Sequence, residues 1–336
     1  MRILQIGLGS MGKRRLRNLT ALGETDIVAF DLREDRRAFA ESEYGIRTVG
    51  EISEELFDER EVYVISTPPD HHAPYIRHAV ERGRPAFVEA SVLSAGLDEL
   101  DRAARAASVT ICPSCTLRFH PSVRAIKDVV TSGRHGKVTS FDYYMGQYLP
   151  DWHPWEDIRT FYVGKRETSA SREMVPFELT WLVDVVGWPR EVVGLLGSTL
   201  DMGVDIDDTY AVAMRGDGWI GSLTVDVVAR YALRRLVLNL EGAQLQWSWD
   251  DKFVRLYDAE TQEWSEIREP EGEAAAAAGY NPNIIEQMYI DEMAAFLSAA
   301  RGDVPFPSTL ADDIAVLRIL EAVEATNSGA SLSYEG

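Results

Sequence analysis

Short, mostly apolar runs recur along the first third of the chain, and a longer segment with helical spacing follows nearly every one of them. These runs are residues 2–6, 27–30, 62–66, 85–89 and 109–112. Apolar runs of this length that alternate with helical segments are typical of parallel strands buried on both faces. The pattern therefore predicts a doubly wound, parallel α/β sheet with helices on both sides.

Beyond about residue 118, strand-like runs follow one another directly, which indicates an open, mainly antiparallel sheet. These runs are residues 137–146, 191–197, 210–214, 220–228, 235–241, 243–248 and 253–257, and helical patterns occupy residues 122–132, 173–186, 284–299 and 310–325. The sequence thus predicts two domains. Residues 1–118 form the first, and residues 119–336 form a second, α+β domain suited to substrate binding and oligomerisation.

Six residues directly after the first apolar run, Gly7-Leu8-Gly9-Ser10-Met11-Gly12, have the spacing of a dinucleotide-binding turn. The first glycine permits a tight turn, the second lets a pyrophosphate approach the backbone, and the third lets the helix pack on the strand. The N-terminus of the helix predicted over residues 13–22 then presents N–H groups and partial positive charge to the phosphates, and Ser10 and Met11 are predicted cofactor contacts. The position of the motif between strand and helix predicts a Rossmann domain that binds a dinucleotide.

An acidic residue, Asp31, ends the second predicted strand, nineteen residues after Gly12. A carboxylate at this place accepts hydrogen bonds from the adenine-ribose hydroxyls and repels a 2′-phosphate. The sequence therefore favours NAD over NADP. Arg33 leaves NADP open, because its guanidinium can approach a phosphate if the loop turns.

The charge and the cysteines restrict the class of partner and the compartment. Among 336 residues the formal net charge is −20, which disfavours binding to nucleic acid or to anionic membranes.

Cys112 and Cys115 are the two cysteines. Two buried thiols are expected rather than a redox pair or half of a zinc site, because no second ligand pair is evident. Few cysteines and no signal-peptide pattern predict a cytoplasmic protein without a metal.

Several motifs together resemble the Gfo/Idh/MocA family of oxidoreductases, which includes glucose–fructose oxidoreductase and inositol dehydrogenase. The motifs are the Gly7–Gly12 turn, Thr67-Pro68 with His72, Phe87-Val88-Glu89, Leu117–Pro121 and the run from Gly146 to Asp157. The last run is similar to a branch associated with nucleotide sugars and surface polysaccharides. The resemblance implies hydride transfer between a nicotinamide cofactor and a sugar, polyol or nucleotide-sugar hydroxyl. It also implies cofactor contacts for Thr67, Pro68, His72 and Glu89.

The sequence departs from the family at both positions that usually handle protons. The lysine after the family's glutamate is replaced by Ala90, and the histidine of the second motif is replaced by Trp181. Glu178 and Asp184 stand at the two acids of that motif. General acid–base help contributes about 10²–10⁴ in rate, so turnover needs another group. His153 is the first candidate because imidazole titrates near neutrality, and Tyr148 and Glu178 follow.

The candidate substrate-binding residues each have a structural alternative. Arg118 either clamps a carboxylate or phosphate or forms an ion pair at the domain boundary. Trp152 and Trp155 either stack on a sugar or pack in the core, and Trp181 either fills the histidine's place or reshapes the pocket wall. Asp184 is expected mainly as a structural acid.

Three functions remain open at this point. The first is an oxidoreductase with an atypical proton relay, and the second is a protein that binds a dinucleotide or sugar without turnover. The third is redox-neutral sugar chemistry with tightly held NAD. The resemblance also implies a homodimer or homotetramer formed through the open sheet.

Overall fold

The computed structural model describes residues 1–152, 157–270 and 285–327 of the chain. The described residues divide into two compact units. One unit contains residues 1–119 and 285–315, and the other contains residues 120–152, 157–270 and 316–327.

The first unit is built on six parallel strands, which confirms the predicted doubly wound sheet. The strands are β1 (Ile3–Ile6), β2 (Ile27–Phe30), β3 (Arg47–Val49), β4 (Val62–Ile65), β5 (Ala86–Val88) and β6 (Ile111–Pro113). Their order is β3-β2-β1-β4-β5-β6, with Ile3 paired to both Ile27 and Val62. The order reverses beside β1, so the dinucleotide crevice lies at the carboxyl ends of these strands.

Helices connect the strands of this unit, and a further helix returns to it from later in the chain. They are α1 (Ser10–Ala21), α2 (Glu34–Tyr44), α3 (Glu54–Glu59), α4 (His72–Glu81), α5 (Leu97–Ala107) and α8 (Glu286–Arg301). Helix α9 (Leu310–Ala325) starts in this unit and ends in the other. Leu16 and Leu19 are fully buried, as expected for the apolar face of a helix that packs on the sheet.

An eight-stranded sheet forms the framework of the second unit. Its strands are β7 (Val138–Tyr148), β8 (Glu191–Gly197), β9 (Thr209–Arg215), β10 (Ile220–Asp226), β11 (Val228–Leu240), β12 (Ala243–Ser248), β13 (Phe253–Asp258) and β14 (Glu263–Arg268). The order is β14-β13-β12-β11-β7-β10-β9-β8, and every neighbouring pair is antiparallel except β7 with β10. The mainly antiparallel sheet confirms the prediction.

One face of this sheet is buried under helices α6 (Pro121–Thr131) and α7 (Ala170–Val186). Phe141, Tyr143 and Met145 alternate along β7 toward the buried side, as the two-residue period of a strand requires. The opposite face carries polar side chains at its centre, where Asn239 donates a hydrogen bond to Ser140 at 2.9 Å. The sheet is therefore amphipathic, with one covered face and one open face.

Among the described residues no helix is long and apolar enough to cross a membrane. Cys112 and Cys115 are both buried, and neither forms a disulfide bond, as expected for small core thiols. Burial raises the pKa of the Cys112 thiol, which makes it a poor nucleophile.

Candidate functional site

The glycine turn after β1 is held by close backbone contacts. Gly7 has φ +95°, and a Cβ on it would lie 2.4 Å from the carbonyl oxygen of Ser66. A Cβ on Gly12 would lie 2.0 Å from the carbonyl oxygen of Gly7. The fold itself therefore requires glycine at both positions.

The middle glycine, Gly9, meets no such constraint from the protein. The nearest atom to a Cβ built there is Nη1 of Arg36, at 3.5 Å. Gly9 is also the N-cap of α1 and offers no capping side chain to the helix. The open space over Gly9 and the N–H groups of the first turn, including Ser10 and Met11, fit the diphosphate of a dinucleotide.

Asp31 fixes the loop after β2 against the glycine turn. Its Oδ2 accepts a hydrogen bond from the Leu8 amide at 2.8 Å, and its Oδ1 accepts one from the Arg33 amide at 2.8 Å. Each carboxylate oxygen has a second lone pair, which suits the ribose hydroxyls of the cofactor. The structure thus places the Asp31 carboxylate beside the glycine turn, and its contact with the adenine ribose stays a prediction.

The contacts of the arginines near Asp31 differ from those that the sequence predicted. Arg33 directs its guanidinium to Asp35, with Nε–Oδ1 and Nη2–Oδ2 distances of 3.0 and 2.6 Å. Arg36, which the sequence reasoning did not select, lies 3.6 Å from Oδ2 of Asp31. The separation of Arg36 and Gly9 along the sequence does not predict that they lie close together. Their proximity depends on the angle at which α2 leaves the sheet.

The turn after β4 presents polar atoms without protein partners. His72 is buried, and its Nε2 lies 2.9 Å from the carbonyl oxygen of Thr67. Burial lowers the pKa of His72, so the ring is neutral and Nε2 donates this bond. Nδ1 of His72 and Oγ1 of Thr67 are buried with no hydrogen-bond partner among the described residues. With Pro68 beside them at the carboxyl end of β4, these atoms fit a cofactor that supplies the missing bonds.

Glu89, at the carboxyl end of β5, forms a bidentate ion pair with Arg15 of α1. Nε and Nη2 of Arg15 donate to the two carboxylate oxygens at 2.7 and 2.9 Å, and the Ser66 hydroxyl donates to Oε1 at 3.2 Å. Nη1 of Arg15 lies 2.8 Å from Oε2 of Glu292 on α8. This network could not be predicted from the sequence, since its members are far apart in the chain.

Glu292 is fully buried and receives three further hydrogen bonds from the segment after β6. The Cys115 amide and the hydroxyls of Ser114 and Thr116 donate to it at 2.7, 3.1 and 2.7 Å. Burial raises the pKa of Glu292, an effect that the charge of Arg15 and these donors oppose. Burial would lower the pKa of Arg15, but the two carboxylates outweigh it and raise the value.

Arg118 lies in a 3₁₀ turn shortly after β6. Its Nη1 donates a hydrogen bond to the backbone oxygen of Pro307 at 2.6 Å, within the same unit. This contact secures the segment that precedes α9. A role of Arg118 in binding an anion stays a prediction.

In the second unit, Glu178 of α7 is fully buried and accepts four hydrogen bonds. Nε and Nη2 of Arg234 donate to Oε1 at 3.0 and 2.7 Å. The hydroxyl of Tyr143 and Nε1 of Trp181 donate to Oε2 at 2.6 and 3.2 Å. Four donors saturate the lone pairs of a carboxylate, so its neighbours hold Glu178 firmly in place, and its catalytic role stays a prediction.

Trp181 is predicted from the resemblance to stand in place of the family's histidine. It is fully buried, with its ring edge-on to Tyr143 at 5.0 Å and to Trp247 at 6.1 Å between centroids. Packing of this kind favours the interpretation of Trp181 as a filler of the histidine's place. Asp184, one helical turn further on, pairs with Nζ of Lys127 at 2.5 Å.

Tyr148 and Trp152 flank the end of β7. The guanidinium of Arg230 lies 3.8 Å from the ring centroid of Tyr148, a cation–π contact. Trp152 packs against the buried cluster that includes Leu149 and Val163. Nε1 of Trp152 is buried without a partner among the described residues. His153 and Trp155 lie outside the described residues, so their assignments stay predictions.

No group of three or more metal-binding side chains occurs in the part of the chain that the structure describes. The candidate cofactor site therefore consists of the glycine turn, Asp31 and the turn after β4. All of these groups belong to the first unit and lie at the carboxyl ends of its strands.

Comparisons with solved structures give the same fold over nearly the whole chain. An oxidoreductase from Agrobacterium radiobacter, in complex with NAD⁺, L-tartaric acid and magnesium, has 12% identity and a TM-score of 0.83, covering 97% of this chain and 95% of that one. Levoglucosan dehydrogenase in complex with NADH has 17% identity and a TM-score of 0.82, with coverages of 97% and 96%. UDP-N-acetylglucosamine 3-dehydrogenase from Acidithiobacillus ferrooxidans has 16% identity and a TM-score of 0.77, with coverages of 98% and 99%. No curated protein sequence matches the chain.

Two family models match the sequence. Residues 1–113 match the NAD-binding Rossmann fold of the oxidoreductase family GFO_IDH_MocA, and residues 123–246 match a GFO/IDH/MocA C-terminal domain. Together they cover more than half of the chain, including the six strands of the first sheet and strands β7 to β11 of the second. The protein therefore belongs to the GFO/IDH/MocA family of NAD-binding oxidoreductases.

Proposed function

We propose that this NAD-dependent oxidoreductase acts on a hydroxyl or ketone of a sugar, polyol or nucleotide sugar. The observation that carries the proposal is the open space over Gly9, flanked by the Asp31 carboxylate and the unpartnered atoms of Thr67 and His72. The sugar and nucleotide-sugar dehydrogenases that share the fold support the substrate class.

The residues of the first unit divide the work of cofactor binding. The amides at the start of α1 would hold the diphosphate, while Asp31 would accept hydrogen bonds from the ribose hydroxyls and disfavour a 2′-phosphate. Neutral His72 and Thr67 would offer a ring nitrogen and a hydroxyl to the cofactor at the carboxyl end of β4. When bound, the nicotinamide ring supplies a hydride acceptor or donor. Alcohol oxidation also requires a group that takes the hydroxyl proton, and the protein must provide it.

The hydrogen bonds that hold Glu178 also favour a second candidate function. In this function the protein binds NAD and a sugar without net turnover. Glu178 already accepts four hydrogen bonds, and Trp181 fills the histidine's place. Such a protein would serve as a sensor or a partner subunit. Redox-neutral sugar chemistry with tightly held NAD is a third candidate function.

A titration with NAD followed by a panel of sugars and keto-sugars separates these functions. An oxidoreductase binds the cofactor and changes the absorbance of NADH with at least one sugar. A binding protein shows saturable cofactor binding but no change with any sugar in either direction. Sugar conversion without a net absorbance change identifies the redox-neutral alternative, and failure to bind NAD or NADH contradicts all three.

The proposal includes cytoplasmic action as a homodimer or homotetramer. Two buried free thiols suit a reducing compartment. The open face of the eight-stranded sheet carries exposed apolar side chains that include Val193, Leu195 and Ile220. Contact with a second copy would remove them from water.

A further inference from the structure

Three charged side chains of the first unit form one network, which we call the Arg15 network: Arg15 of α1, Glu89 after β5 and Glu292 of α8. Nε of Arg15 lies 2.7 Å from Oε1 of Glu89, and its Nη1 lies 2.8 Å from Oε2 of Glu292. The side chains of Arg15 and Glu292 are fully buried, whereas that of Glu89 is 11% exposed. Glu89 is therefore the member of the network that a ligand can reach.

The hydrogen bonds of the Arg15 network suit two ionised carboxyl groups. Glu292 accepts bonds from one amide and two hydroxyls of the segment after β6. Glu89 accepts bonds from Arg15 and from the hydroxyl of Ser66. A carboxylate accepts from all of these donors, whereas a protonated carboxyl group would place its own O–H among them. One guanidinium between two carboxylates leaves one negative charge in excess.

This excess charge lies on one particular side of the dinucleotide crevice. The glycine turn after β1 fits the diphosphate, and Asp31 after β2 suits the adenine ribose. Strands β4 and β5 lie on the other side of β1, so the nicotinamide half of a cofactor that spans the crevice would pass their carboxyl ends. Glu89 directly follows β5, and the unpartnered atoms of Thr67 and His72 follow β4. Glu89 is thus on the nicotinamide side.

The two redox forms of the cofactor differ in charge at the nicotinamide ring. The ring of NAD⁺ carries one positive charge, and the ring of NADH is neutral. Charges interact more strongly in a buried environment than in water, because the effective dielectric constant is lower. His72 does not offset the negative charge, since burial lowers its pKa and keeps its ring neutral. An excess negative charge at this edge therefore stabilises NAD⁺ much more than NADH.

We propose that the Arg15 network raises the affinity of the protein for NAD⁺ relative to NADH, an inference that rests on the cofactor binding in the proposed function. Glu89 carries the charge nearest to the ligand. Arg15 and Glu292 are positioning residues, because Arg15 holds the Glu89 carboxylate and Glu292 already occupies the other side of the same guanidinium. Stabilisation of NAD⁺ opposes its reduction, so this preference would favour the alcohol over the ketone at the bound cofactor.

The test measures the dissociation constants of both cofactor forms, NADH by fluorescence titration and NAD⁺ by competition against it. Glu89→Gln and Glu292→Gln each remove one carboxylate and leave Arg15 paired with the other. We expect the NAD⁺ affinity to fall about tenfold or more in Glu89→Gln and about threefold in Glu292→Gln, while the NADH affinity stays within about twofold. The ribose and carboxamide are common to both forms, so a lost contact with them does not change the ratio of the two constants.

Glu286→Gln is the matched control. Glu286 lies on the same helix as Glu292, is also buried, and pairs with Arg14 and Arg17 of α1 at 3.4 and 3.6 Å, outside the Arg15 network. The ratio of the two dissociation constants should stay within about twofold of the wild type in this variant. An equal shift of the ratio in Glu286→Gln would overturn the role of the network.

A purely structural network gives a different result. Both cofactor forms would then bind more weakly by the same factor in Glu89→Gln and Glu292→Gln, and this outcome overturns the inference alone. Glu89→Gln decides the question even if Glu292→Gln does not fold, because its Arg15 keeps the buried Glu292 as a partner. A wild-type protein that binds neither NAD⁺ nor NADH overturns the proposed function and this inference together.

Discussion

Arg15 joins the phosphate-binding helix to the end of β5 through two parallel hydrogen bonds to Glu89, with lengths of 2.7 and 2.9 Å. Its third nitrogen reaches Glu292 on α8. One guanidinium therefore compensates two buried carboxylates. Since the Ser66 hydroxyl also binds Glu89, the network supports the turn against which Gly7 packs.

Removal of the guanidinium should strongly destabilise the first unit. We expect Arg15→Met to lower the free energy of unfolding by about 3–5 kcal/mol, because it leaves buried carboxylates without a cation. Arg33→Met is the control, since the Arg33–Asp35 pair has similar geometry but is exposed to solvent, and its loss should change the free energy of unfolding far less. Urea unfolding measures both values, and equal effects for the two variants would contradict the role of burial.

Two alanine substitutions in the glycine turn should have opposite consequences. Gly12→Ala should lower the free energy of unfolding by about 3 kcal/mol or more, because its Cβ would lie 2.0 Å from a backbone oxygen. Gly9→Ala should leave stability nearly unchanged but weaken NAD binding at least tenfold, about 1.4 kcal/mol, because its Cβ occupies the ligand's space. Thermal unfolding and calorimetric titration give these quantities, and full NAD affinity in Gly9→Ala would remove the turn from the binding site.

The four hydrogen bonds to Glu178 predict a structural effect for Glu178→Gln. The amide nitrogen would face donors on Tyr143, Trp181 or Arg234, so we expect a loss of about 3–5 kcal/mol in the free energy of unfolding. Asp184→Asn on the same helix should cost less than about 1 kcal/mol, since its lysine partner is partly exposed. A Glu178→Gln protein with normal stability and abolished turnover would instead make Glu178 a catalytic residue.

The raised pKa of Asp313 predicts a difference in stability between the wild type and Asp313→Asn that depends on pH. Burial in the folded protein raises the pKa of this acid from 3.8 to about 6, so its ionised form is disfavoured in the folded state. The resulting penalty is fully present above about pH 6 and disappears below about pH 4. Asp313→Asn should therefore be more stable than the wild type at pH 8, by up to about 3 kcal/mol, and the two should converge near pH 4.

Urea unfolding at pH 4, 6 and 8 tests this difference, with Asp312→Asn as the matched loss of one acid. If Asp313→Asn were less stable than the wild type at pH 8 and more stable at pH 4, folding would lower the pKa of Asp313 instead of raising it, which would contradict the prediction.

The open sheet face predicts self-association. Val193 and Leu195 are 54% and 61% exposed, and they pair in register with the small residues Ala213 and Ala211 of β9. Light scattering should give a mass that is a multiple of 37.6 kDa for the wild type and a lower mass for Leu195→Glu. Val304→Glu, an equally exposed apolar position in the first unit, should keep the wild-type mass. A wild-type mass of one chain would contradict the homo-oligomer.

The sequence by itself determined the features that depend on local pattern. The strands with carboxyl ends at Ile6, Phe30 and Ile65, the glycine turn and the acid after β2 all follow from periodicity and spacing within short segments. The change to consecutive strands after residue 118 likewise predicted the antiparallel sheet. Strand β3 is only three residues long and none of its residues is buried, so its pattern was too weak to be predicted.

The tertiary structure decided the partners of the charged groups. Arg15 meets Glu292 and Arg234 meets Glu178 only because distant segments fold against one another. An ion pair or hydrogen bond forms wherever three-dimensional packing brings two groups within about 3 Å, and side-chain periodicity carries no information about that distance. For this reason the sequence identified the chemistry of Glu178 and Glu89 but not the bonds that hold them in place.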